Sequence, residues 1–229
     1  MTVLIQDIFS KFDDVPCFTK HNMAFVYGGL SNSLDQRLWR ALKEGRILQL
    51  RNGLYMTNLF YFQESDRVKL AEFIASQIRF PSYLSLEYVL QKYHLLENFG
   101  SITSISSKTG HLYKNFLGTF EFKNVKSLLY CGFEEVCFHQ QKYFVATKAK
   151  ALFDYLYLCP GFPRTYGGLR HYLFEKLRIQ WKYFSREDFE MFDQYVWKSN
   201  SAKMMRVWDI LNKYFIGKDF EKLTGEILK

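Results

Sequence analysis

The chain has little of what marks many functional classes. Its four cysteines, Cys17, Cys131, Cys137 and Cys159, show neither CxxC spacing nor a dense framework. That excludes a disulfide scaffold and makes a reducing cytoplasm the expected setting. No stretch reaches the roughly 18 apolar residues a membrane span requires. The opening MTVLIQDIFSKFDD has no basic segment followed by an apolar run, so neither export nor a membrane partner is expected. There is no GxxxxGK followed by Ser or Thr, no GxGxxG after a strand, no HExxH and no GxSxG, which removes the usual signatures of nucleotide, zinc-protease and serine-hydrolase chemistry. Internal repeats and low-complexity tracts are absent as well, excluding a solenoid or a flexible scaffold.

What is present is a basic, strongly aromatic globular chain. Its 229 residues are 48% hydrophobic and 19% aromatic, ample for a packed core and far from a disordered composition. The net charge of +8 and pI near 9.2 fit a polyanionic partner. The charge is spread, however. Lys and Arg outnumber Asp and Glu by seven to five over residues 1–60, ten to eight over 61–149 and fourteen to ten over 150–229. Basicity therefore supports nucleic-acid binding without locating it.

The segment from Ser31 to Thr57, SNSLDQRLWRALKEGRILQLRNGLYMT, locates it. At 100° per residue, Leu34, Leu38, Ala41 and Leu42 share one helix face, and Ser33, Gln36, Arg37, Arg40 and Lys43 gather on the other. Gly45 is placed to end this helix in a left-handed turn. Ile47–Leu50 and Leu54–Thr57 then flank Arg51-Asn52-Gly53, and Asn-Gly between strand-like runs predicts a type I′ hairpin, with positive φ at both central residues. Upstream, Thr19 is placed to cap a helix from Lys20 to about Tyr27, and Gly28-Gly29 supplies the turn into the next. Ser31 or Ser33 is the expected cap of the second helix, with capping-box spacing from Ser33 to Gln36. With a first helix over Val3 to about Phe12, this is the layout of a winged helix-turn-helix. A charged helix face is also what any solvated helix shows. The ordered set of helix, glycine turn, helix and basic-tipped hairpin is what favours DNA.

The remainder reads as a larger α+β domain with an antiparallel sheet and C-terminal helices, giving domains 1–60 and 61–229. Ser65 is the expected cap of a helix carrying Val68, Ala71, Phe73, Ile74, Ala75 and Ile78, and Leu84 to Tyr93 reads as a short helix capped from Ser82 or Ser85. Beyond Gly100 the apolar period shifts toward 2, predicting strands at 101–107, 119–122, 127–130, 136–139 and 143–146. Helices return at 148–157, 168–177, 186–197 after Ser185-x-x-Asp188, and 202–214. Without a Pro, Gly or Ser linker near residue 60, the two parts are expected to pack together.

Catalytic fragments are few. Cys131, Cys137 and His139 lack a second ligand pair at zinc spacing. Glu121-Phe122-Lys123 has the Glu-x-Lys spacing of many nucleases, with no Asp between Asp66 and Glu121 to complete the usual pair. The aromatic run Tyr155, Tyr157, Phe162 and Tyr166 beside Arg164 and Arg170 fits core packing better than base stacking. The expectation is a non-enzymatic protein with no metal and no cofactor.

From about Asn22 to Leu158 the order of segments resembles the AbiEi family of antitoxins. The resemblance rests on Gly53-Leu54-Tyr55 closing the hairpin, on Pro81-Ser82-Tyr83-Leu84-Ser85-Leu86-Glu87, and on Lys148-Ala149-Lys150-Ala151-Leu152, which keeps the Lys-Ala-Leu of the family's helix start but lacks its Pro and Glu. It implies a type IV toxin-antitoxin system associated with abortive phage infection. There, a winged helix represses its own operon, and the rest of the protein counteracts a nucleotidyltransferase-like toxin, without a stable complex being required. The expected DNA-binding residues are Ser33, Gln36, Arg37 and Arg40 in the major groove of double-stranded operator DNA, with Lys43, Arg46, Arg51 and Asn52 on phosphates or at the wing. The rival reading is a winged-helix protein-interaction module without sequence-specific DNA binding.

Overall fold

Thr19 opens the first α-helix through a reciprocal pair of bonds. Its hydroxyl accepts from the Asn22 N–H at 3.2 Å, and Asn22 Oδ1 accepts from the Thr19 N–H at 2.8 Å, so α1 (Lys20–Tyr27) begins where expected. Gly28 and Gly29, with φ of 93° and 130°, reverse the chain. Next, α2 (Asn32–Lys43) ends in a Schellman arrangement: the Arg46 N–H reaches the Ala41 carbonyl, the Gly45 N–H reaches that of Leu42, and Gly45 takes φ 68°. Strands β2 (Ile47–Arg51) and β3 (Leu54–Thr57) form the hairpin, and β1 (Phe18–Thr19) adds to it in the order β1-β3-β2, all antiparallel. The structure, a computed structural model, describes residues 8–30, 32–97 and 100–216.

Three local expectations differ. Ser33 lies inside α2, so it neither caps the helix nor forms a capping box, and Ser31 lies outside the described residues. Of the first expected helix, the described part, Ile8–Phe12, is a short 3₁₀ helix. At the wing tip only Gly53 has positive φ, 74°, and the register slips by one between Gln49 and Arg51. The turn is therefore a bulged one, not type I′. The double positive-φ hairpin occurs instead at His139-Gln140, with φ of 43° and 62°.

The fold is α+β, and the larger sheet is mixed where an antiparallel one was expected. Its strands are β4 (Ser82–Leu84), β5 (Ile102–Ser106), β6 (His111–Asn115), β7 (Gly118–Asn124), β8 (Phe133–Phe138) and β9 (Gln141–Ala146), in the order β6-β7-β5-β4-β9-β8. The β5–β7 and β4–β9 pairs are parallel. Apolar alternation is the same in both directions, so connectivity alone sets direction. Residues 127–129 form a 3₁₀ turn, not a strand. The helices are α3 (Asn58–Gln63), α4 (Arg67–Ile78), α5 (Leu86–Lys92), α6 (Lys148–Leu158), α7 (Tyr166–His171), continued by a π-helical turn over Tyr172–Lys176, then α8 (Arg186–Ser199) and α9 (Ala202–Phe215). Asp66, not Ser65, caps α4, and Val68 on that helix is exposed.

Two buried clusters meet at the hairpin. Phe9, Phe12, Phe18, Met23, Leu34, Leu38, Ala41, Ile47 and Tyr55 make the smaller one. Leu50, Leu54 and Met56, from the same hairpin, belong to the larger one with Phe73, Tyr83, Phe120, Phe153 and Phe189. Both faces of β3 are therefore buried, and the Asn115 side-chain amide donates to the Leu50 carbonyl at 3.0 Å. The wing serves as a shared wall, which accounts for the missing linker.

The second and third segments of the family resemblance also meet in this core. Tyr83 and Ser85 donate from one segment to Asp154 Oδ2 at 3.0 and 2.8 Å, and Lys150 of the other, a turn earlier on α6, ion-pairs with Asp154. All four are buried. Ser85 precedes α5 but makes no side-chain cap bond, because its hydroxyl is committed to Asp154. A parallel arrangement surrounds buried Glu72 of α4, which accepts from Tyr88 at 2.7 Å, Tyr143 at 2.7 Å and Lys92 at 2.5 Å. Each buried carboxylate is thus fully bonded.

Candidate nucleic-acid interface

The apolar side of α2 sets the direction of its polar side. With Leu34, Leu38 and Ala41 buried, Ser33, Gln36, Arg37, Arg40 and Lys43 are all exposed. The spacing from 33 through 36, 37 and 40 is that of a single helical stripe. Gly28-Gly29 brings the end of α1 against the start of this stripe. Tyr27 and Ser33 hydroxyls lie 3.1 Å apart, and the Arg37 guanidinium sits 5.0 Å above the Tyr27 ring. Hydrogen bonds from Ser33 and Arg37 hold the Tyr27 hydroxyl below its ordinary pKa. Arg37 is thus oriented by a neighbouring ring, and less of its rotamer entropy remains to be lost when it binds.

The acids bordering the stripe are neutralised within the protein. Asp35 pairs with Lys20 of α1 at 2.5 Å, and Glu44 pairs with Arg46 at 2.8 Å. The side chains of Gln36 and Arg40 carry no hydrogen bond or ion pair among the described residues and are open to an incoming group. Lys43 lies 4.1 Å over the ring of Trp39, a cation–π contact that keeps its charge at the edge of the stripe.

The wing contributes less than its sequence promised. Arg46 is exposed but engaged by Glu44 and lies 5.3 Å over the Phe9 ring. Arg51 is half-buried: its Nη1 donates to the Asn52 carbonyl at 2.9 Å, and its buried Nε has no partner among the described residues. It lies close enough to Cys17 to oppose the burial that pushes that thiol up to about 12. Asn52 is exposed at the tip, and the Gly53 carbonyl beside it accepts from the Lys20 N–H at 3.1 Å. The groups brought together are therefore those of α2; Arg51 turns back toward the protein.

Sequence reasoning missed two features of this face. Phe25 is 91% exposed and Trp39 is 56% exposed. Phe25 sits in the unbroken apolar run Met23–Tyr27, which gives no face to read. Trp39 gave little signal, because it falls between Leu38 and Arg40 at an angle the face count leaves unassigned. The platform made by Tyr27 joins residues ten apart across a glycine turn, and no local pattern reveals it.

The other candidates do not assemble. Cys131 Sγ lies 3.3 Å from Lys198 Nζ, Cys137 is exposed, and His139 Nε2 lies 2.5 Å from Glu64. No group of three or more His, Cys, Asp or Glu among the described residues is placed to hold a metal ion. Lys123 sits between Glu121 at 3.5 Å and Glu87 at 3.7 Å, so the carboxylate beside the Glu-x-Lys pair is a Glu, not an Asp. Tyr155, Tyr157 and Phe162 pack on the larger core, while Tyr166 is exposed beneath Lys213. No helix of the described residues is long and apolar enough to cross a membrane. Compared with known proteins, the chain matches no family model and no curated protein.

Proposed function

We propose that the chain is a DNA-binding transcriptional autoregulator and antitoxin of the type IV kind, non-enzymatic, with α2 as its recognition helix. The observation that carries the reading is the stripe of Ser33, Gln36, Arg37, Arg40 and Lys43, exposed on a helix whose opposite face is buried and whose neighbouring acids are already paired. In the major groove, Arg37 and Arg40 suit guanine O6 and N7, and Gln36 suits adenine N6 and N7. Lys43 and the exposed wing-tip Asn52 suit phosphates on either side. The antitoxin half of the proposal rests on the order of the three segments that resemble the AbiEi family, with a nucleotidyltransferase-like toxin as functional partner and no stable complex needed.

Fluorescence anisotropy on duplex DNA from upstream of the protein's own gene, beside a scrambled duplex, tests it. Binding to the native duplex is expected to be tighter, and its affinity to fall with salt at a slope of about −0.9 per phosphate neutralised. Equal and weak binding of both duplexes, insensitive to salt, would overturn it. That outcome would favour docking of a protein partner, the reading that exposed Phe25 and Trp39 support.

A further inference from the structure

A cavity of about 550 Å³ lies between α7, the π-helical turn after it and the end of α9, within the size range of small-molecule sites. Its floor is aromatic. Trp181 packs at a tilt against Phe174 at 5.8 Å and Phe215 at 5.4 Å between ring centroids. Trp181 is only 7% exposed, and its indole N–H is buried with no acceptor among the described residues. A buried donor of this kind calls for an acceptor oxygen.

The rim is cationic. Residues 178–182 alternate, with Ile179 and Trp181 buried and Arg178, Gln180 and Lys182 exposed, so two cations stand over the aromatic floor. Arg170 joins them from α7, its guanidinium 4.9 Å over the Tyr214 ring. Two carboxylates also border the cavity, Glu97 and Glu175, and Glu175 is engaged by His171 at 3.0 Å. Three cations against these two carboxylates leave the mouth positive by one charge.

We propose that this cavity binds a small planar organic anion, its ring on Trp181 and Phe215 and its carboxylate or phosphate held by Arg178, Lys182 and Arg170. The site is separate from the DNA-binding stripe, and failure of either reading leaves the other standing.

Two-dimensional ¹H–¹⁵N spectra of the full chain test it, because the four tryptophans give four resolvable indole N–H signals. The probes are 2-naphthoate, 2-naphthyl phosphate and the neutral isostere 2-naphthalenemethanol, with Trp181→Phe used to assign the signal. The Trp181 signal is expected to move and saturate with at least one of the two anions, and the alcohol to bind at least about tenfold more weakly. The tighter of the two anions identifies the head group. Arg178→Asn is chosen because Arg178 has φ 52°, a conformation Asn tolerates. It is expected to weaken the anion by at least about tenfold while leaving the melting temperature unchanged. No saturable movement of the Trp181 signal up to about 5 mM of either anion, equal binding of the alcohol, or an unchanged affinity in Arg178→Asn would each overturn the proposal.

Discussion

Lys150→Met is expected to destabilise the fold by about 3–5 kcal/mol, read as a lower urea midpoint. Methionine fits the space of the Lys150 stem, so packing changes little. What changes is Asp154, left in the core without its counterion and bonded only to Tyr83 and Ser85. Burial already pushes the Asp154 carboxyl above its ordinary value, against the opposing effects of Lys150, Ser85 and Tyr83. Without Lys150 that carboxyl rises further. Folding then takes up a proton at any pH between the unfolded value of about 3.9 and the raised folded one, so stability falls as pH increases across that window. The deficit relative to the parent protein is accordingly expected to be smaller near about pH 5 than near about pH 8. The double variant Lys150→Met with Asp154→Asn keeps an acceptor for Tyr83 and Ser85 while removing the lone charge, and is expected to recover much of the loss. A deficit below about 1 kcal/mol, or one that ignores pH, would contradict the buried ion pair.

Gly132→Ala is expected to cost about 2–4 kcal/mol, from two sources that can be separated. Gly132 has φ 77°, which a residue with a Cβ adopts only at a cost of about 1–2 kcal/mol. The added Cβ would also lie 2.3 Å from Tyr195 Oη, 2.7 Å from Tyr195 Cζ and 3.1 Å from Lys150 Cγ. Its carbonyl cannot easily shift away, because it accepts from the Thr147 N–H at 3.0 Å and the Thr147 hydroxyl at 3.3 Å, and Thr147 caps α6. Adding Tyr195→Phe removes the nearest clashing atom, so the double variant is expected to regain part of the loss and retain the backbone share. A thermal melt in which Gly132→Ala matches the parent protein would show that the loop before β8 yields freely, contrary to the packing around Lys150.

The local devices of this fold were legible because they act within a few residues. Thr19 before α1, Ser185 before α8, Gly45 after α2 and the Asn-Gly tip were all placed from spacing alone, and the structure puts a cap, a helix end or a turn at each. What failed depends on distant partners. Ser85 has the position of a cap, yet its hydroxyl serves Asp154, 69 residues away. Helix α3 is six residues, half of them aromatic, too short to show a period. Strand β4 is three residues long, and its parallel pairing with β9 follows from the chain path between them. Lys150 and Asp154, spaced i and i+4, would serve equally well as a surface pair; Tyr83 and Ser85 on Asp154 and Tyr195 of α8 against Lys150 make them core.

The candidate interface divides the same way. The exposed stripe on α2 followed from helical angles. The Tyr27 platform under Arg37 depends on how α1 packs against α2, whereas the capture of Arg46 by Glu44 and the turning of Arg51 onto Asn52 are short-range contacts set by the turn after α2 and the bulged wing tip.

The most direct measurement is anisotropy of Arg40→Ala and Lys43→Ala on the native upstream duplex and on a scrambled one. Arg40→Ala is expected to lose about 1–3 kcal/mol on the native duplex and little on the scrambled one, because Arg40 reads bases. Lys43→Ala is expected to weaken both alike and lower the salt slope by about 1. If both variants bind both duplexes as the parent protein does, α2 does not enter the groove, and the central reading of this chain is contradicted.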